Sequence, residues 1–106
     1  MKSIFVGGAL VAALLTATDA GATAFCNIRS TSDGFVALRA GPSGTARLVA
    51  RMRVGDEIQA HSDRRGMWIK ATWWKGGRFK QPRDAGYDPP NGSGWVHGSL
   101  IEDDCG

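Results

Sequence analysis

Four tryptophans, Trp68, Trp73, Trp74 and Trp95, crowd into the second half of the chain. Between the last two lie 20 residues, Lys75 to Gly94, which add Phe79 and Tyr87. The same stretch carries Lys75, Arg78, Lys80 and Arg83 against Asp84 and Asp88, a local charge of +2. Aromatic faces beside guanidinium groups suit binding chemistry. Sugar rings lay their apolar faces on indoles, and carboxylates pair bidentately with arginine. Peptidoglycan offers both kinds of group. The same mixture of Trp, Tyr and Arg also forms the hot spots of protein–protein contacts. The candidate binding residues are therefore Trp68, Trp73, Trp74, Arg78, Phe79, Tyr87 and Trp95.

Reactive groups are scarce by comparison. The two cysteines, Cys26 and Cys105, lack C-x-x-C spacing, and His61 and His97 have no supporting ligand pattern around them. No G-x-S-x-G nucleophile elbow occurs. The neighbouring Asp103 and Asp104 on an end segment read as solvated charges. Neither catalysis, a metal nor a cofactor is expected.

The first residues set the compartment. Lys2 gives a positive start, Ile4 to Leu15 is an uncharged apolar run, and Ala22-Thr23-Ala24 has the small-x-small pattern of a leader cleavage site. Residues 1–24 thus read as a signal peptide and 25–106 as one domain, exported to the periplasm or beyond. Phe25 intervenes before Cys26, which disfavours lipidation at the first mature position, so no membrane attachment is expected after cleavage. In an exported chain an even pair of cysteines reads as a disulfide. A Cys26–Cys105 bridge would close almost the whole domain, worth about 4 kcal/mol in the loop-entropy model. The chain is basic, with a pI near 9.2, but its net charge is only +3. Nucleic acid is therefore not an expected partner, and oligomeric state leaves no mark in the sequence.

Positioning these groups falls to short strands. No long segment has helical periodicity, and apolar runs are cut by Gly, Pro, Asn and Asp, which argues for an all-β domain. Strands are expected over Phe35 to Arg39, Leu48 to Met52, Glu57 to His61, Met67 to Trp74 and Trp95 to His97. Gly41-Pro42-Ser43-Gly44 ends the first, Val54-Gly55-Asp56 turns into the third, and Ser62 to Gly66 reads as a charged loop. Gly98-Ser99-Leu100 suits one 3₁₀ turn before Ile101 pairs again. Trp73 and Trp74 are adjacent in a strand and so point to opposite faces. At most one belongs in the core, and the other must lie under the 75–94 insertion, at an interface or in solvent. Hairpin loops usually hold two to five residues, and this insertion has aromatics and three prolines, so it reads as ordered and functional.

Leu38-Arg39-Ala40-Gly41-Pro42-Ser43, Val54-Gly55-Asp56, Gly66-Met67-Trp68-Ile69-Lys70 and Gly94-Trp95-Val96 occur in that order. In order and spacing these segments resemble the bacterial SH3 (SH3b) family over roughly residues 34 to 101. The resemblance implies a small SH3-like β-barrel of about five strands in which Trp68 and Trp95 help to close the barrel. It also implies a non-catalytic module binding peptidoglycan or its stem peptides. Two departures are visible. Leu100-Ile101 replaces a Tyr-Leu-like pair near the last strand, and with it an aromatic, so any groove must be built from other residues. The insertion replaces a tight hairpin, which fits an alternative role as a periplasmic protein-binding inhibitor, immunity or assembly factor acting through residues 75–94.

Overall fold

The computed structural model describes residues 24–102 and Cys105. The leader expected over residues 1–24 and the Asp103-Asp104 pair lie outside the described residues, apart from Ala24. Six strands make one antiparallel sheet: β1 (Ala24–Asn27), β2 (Val36–Arg39), β3 (Leu48–Met52), β4 (Glu57–Arg65), β5 (Trp68–Trp74) and β6 (Gly92–His97). Their order across the sheet is β1-β4-β5-β6-β2-β3. The all-β expectation holds, with six strands rather than about five. The sheet is open: β1 and β3 are its two edges and do not pair with each other. Among the described residues no helix is long and apolar enough to cross a membrane.

Alternation builds the core. Val36 and Leu38 of β2, Ile58 and Ala60 of β4, and Ile69 and Ala71 of β5 all point to one side and are buried. Met52, Val96, Ile28 and Ile101 complete the cluster. Burying side chains such as Leu38 or Ile58 contributes roughly 1.5–3 kcal/mol each. The short 3₁₀ turn Gly98–Leu100 follows β6 as expected, and Ile101 then bridges to Ile28. Cys26 and Cys105 are disulfide-bonded, with Cα atoms 4.4 Å apart at a sequence separation of 79. The bond ties the end of the described chain to the edge strand β1.

Three boundaries differ from expectation. β1 was not anticipated; it pairs with β4 from Ala24↔Ala60 to Asn27↔Glu57. Ser62–Arg65, expected as loop, extends β4, and a two-residue turn at Gly66-Met67 leads into β5. All four of these residues are exposed, so no apolar alternation betrays the strand. A bulge interrupts this extension, because the pairing steps from Ala60↔Ala71 to Arg64↔Ile69. Three residues of β4, His61 to Asp63, therefore oppose Lys70 alone. Finally, the insertion ends at Asn91, since Gly92 to Gly94 belong to β6. Gly94 permits the crossing of β6 over β2: a Cβ there would lie 2.5 Å from the Arg39 carbonyl oxygen.

Candidate functional site

The seven candidate residues are divided among three places. Trp73 continues the inward face of Ile69 and Ala71 and packs against the core. Its indole Nε1–H donates to Asp56 Oδ2 at 3.0 Å. Asp56, itself buried, also accepts from the backbone N–H groups of Arg53 and Gly76. One carboxylate thus fixes the turn before β4, the indole of β5 and the first bend of the insertion.

Trp74 points the other way yet is only 4% exposed. It lies beneath the insertion, one of the positions open to the outward member of the pair. Its Nε1–H donates to the Asp88 carbonyl at 2.7 Å. Phe25 and Tyr87 pack against its ring at centroid distances of 6.1 and 6.2 Å, and Phe79 meets Tyr87 edge-on at 5.2 Å. Arg78 enters this cluster with its guanidinium 3.7 Å from the Phe25 ring centroid. Glu57 receives both the Arg78 guanidinium and its backbone N–H.

The insertion is closed from several sides. Asp88 N–H donates to the Arg78 carbonyl, Lys80 pairs with Asp88 at 3.0 Å, and Asn91 Oδ1 accepts from Lys75 N–H. Trp74, Arg78 and Phe79 are therefore largely occupied in a small second core. Only Tyr87, 53% exposed, offers a large open surface there. Sequence reasoning missed Phe25, which sits on the unanticipated strand. The pattern Phe25-Cys26-Asn27-Ile28, with Cys26 and Ile28 alternating inward, was the signal that could have found it.

Trp68 and Trp95 occupy the third place, the outer face of β5 and β6, both half-buried. Directly paired residues of an antiparallel ladder share a face. The pairs Trp68↔His97, Lys70↔Trp95 and Arg39↔Trp95 therefore set Trp68, His97, Lys70, Trp95 and Arg39 on one surface. Trp68 meets the His97 ring edge-on at 5.2 Å, while the Lys70 ammonium lies 5.6 Å from the centre of Trp95. Trp95 has a cation on each neighbouring strand. Among the described residues neither Lys70 nor Arg39 forms an ion pair.

Two hollows flank this row. One, of about 500 Å³, is walled by Phe35, Trp68, Leu100 and His97 with Arg39 at its side. Leu100 lines this groove together with Phe35 and Trp68. The other hollow, of about 420 Å³, opens at the β4 bulge and is mostly polar. His61 and His97 have different partners: His61 hydrogen-bonds Thr72 and His97 hydrogen-bonds Ser99. No cluster that could hold a metal ion occurs among the described residues. No protein-family model matches the chain, and no significant match is found among curated proteins or solved structures.

Proposed function

We propose that this is an exported, non-catalytic binding module of SH3b type that recognises peptidoglycan or its stem peptides on the outer face of β5, β6 and β2. The observation carrying this reading is the groove in which Phe35, Trp68 and Leu100 offer apolar contact beside the Arg39 guanidinium. Such a combination suits a short peptide with acidic groups: the walls take side chains and the guanidinium takes a carboxylate. An SH3-like strand arrangement is part of the proposal, as a curled sheet whose edges β1 and β3 stay unpaired with each other rather than a closed barrel. Its support is the order of the motifs and the fit of Gly94 to the place where β6 crosses β2. Removal of residues 1–24 as a leader and export to the periplasm belong to the same reading, in keeping with the disulfide.

A second reading is favoured by Tyr87, exposed above the insertion's aromatic cluster. There the chain acts as an inhibitor, immunity or assembly factor whose protein partner docks on residues 75–91. Retention on purified cell-wall sacculi separates the two. Wild-type protein and Tyr87→Ala are expected to be retained, and Trp68→Ala and Arg39→Ala to wash off. Wild-type protein passing straight through would sink the wall-binding reading, and a loss confined to Tyr87→Ala would transfer the role to the insertion.

A further inference from the structure

We infer that the hollow at the β4 bulge is a saccharide site for a carboxylate-bearing sugar unit, separate from the apolar groove on the far side of Trp95. The inference rests on the envelope-binding reading and extends it from peptide to glycan.

The hollow exists because of the bulge. Three residues of β4 face Lys70 alone, and the hollow opens at these three. At about 420 Å³ it lies within the ~300–1,000 Å³ range of small-molecule sites. Its lining differs from that of the groove. Around a floor at Ala71 stand the Ser62, Thr72 and Ser93 hydroxyls, the His61 imidazole, the Asp63 carboxylate and the Lys70 ammonium. A peptide would find almost no apolar wall here. A sugar would find partners for each hydroxyl.

The hydrogen-bonding capacity is there to be used. His61 Nε2 and Thr72 Oγ1 are 2.8 Å apart, which orients both while leaving the hydroxyl a further site, since it can donate once and accept twice. Asp63 makes no ion pair among the described residues and can accept from neighbouring hydroxyls. Ser93 is exposed and lies opposite Thr72 across the ladder. The indole of Trp95 stands two residues along β6 on the same face, beside the hollow rather than in its lining.

Charge selects within the sugar class. Among the described residues Lys70 is held beside Trp95 without a carboxylate partner, so a neutral sugar leaves its ammonium unanswered and a carboxylated one does not. Asp63 opposes any anion in the hollow but a phosphate dianion more strongly than a carboxylate monoanion, which disfavours a nucleotide or phosphorylated ligand.

Three probes test this on the oxidised domain: glycan strands stripped of their peptides, neutral chitin oligosaccharides and free stem peptide. Stripped strands are expected to shift the amide resonances of Thr72 and Ser93, and to bind at least about tenfold more tightly than chitin fragments. Lys70→Gln should weaken strand binding about tenfold while leaving stem-peptide binding unchanged and lowering the melting temperature by no more than a few degrees, from the lost contact with Trp95. Ser93→Leu, which fills the hollow, should act in the same direction. Binding of stem peptide without binding of stripped strands overturns the saccharide site and leaves the envelope reading intact. Equal affinity for chitin fragments, or no effect of Lys70→Gln, also overturns it. Failure of both strands and peptide to bind overturns both.

Discussion

The guanidinium of Arg78 lies over the ring of Phe25, 3.7 Å from its centroid, joining the insertion to the first strand. Glu57 holds the same guanidinium from the side. The insertion is thus fastened to two strands that precede it by a long stretch of chain, and Trp74 is sealed between them.

Removing either ring or cation should loosen that fastening. Phe25→Ala is expected to cost about 2 kcal/mol, from lost aromatic burial and cation–π contact. It should also speed proteolytic cutting within residues 75–91. Urea unfolding and limited proteolysis check both effects. An unchanged midpoint would mean that the insertion does not depend on Phe25.

Gly94 makes a sharper prediction. A Cβ there would meet the Arg39 carbonyl oxygen at 2.5 Å and Leu38 Cγ at 3.1 Å, whereas one at Gly44 would meet nothing within 4 Å. Gly94→Ala should therefore destabilise by about 1–3 kcal/mol, with Gly44→Ala a near-neutral control. Equal melting temperatures for the two variants would refute the close crossing of β6 and β2.

Reduction of Cys26–Cys105 should lower the melting temperature by about 10 °C or more, because the bridge spans 79 positions. Since Cys26 shares β1 with Phe25, reduction should also raise the accessibility of Trp74 to a fluorescence quencher before the main transition. A thiol titration that finds both cysteines reactive in the untreated protein would remove the clasp.

Much of this arrangement is legible in the chain. The Val36 and Leu38 alternation marks β2, Gly98-Ser99-Leu100 marks the 3₁₀ turn, and adjacency alone sends Trp73 and Trp74 to opposite faces. β1 is harder to read, because its four residues present only Cys26 as a fully buried position. The far half of β4 is invisible for the opposite reason: Ser62 to Arg65 are polar and exposed on both sides. The division of the seven candidate residues could not be read from spacing. It follows from register, and register is set by pairing between strands that are distant in sequence. The hollow at His61 to Asp63 depends on the same long-range pairing. The insertion's charges likewise gave no sign that Arg78 and Lys80 would be consumed internally.

That internal consumption changes how the molecule looks to its surroundings. Asp56, Glu57 and Asp88 are spent on tying down the insertion, while among the described residues Arg39 and Lys70 form no ion pair on another region of the sheet. The overall value of +3 therefore understates the potential that an approaching polyanion meets. Adsorption to acidic polymers should be oriented, sheet-face first, and should fade as added salt shortens the screening length towards ~8 Å.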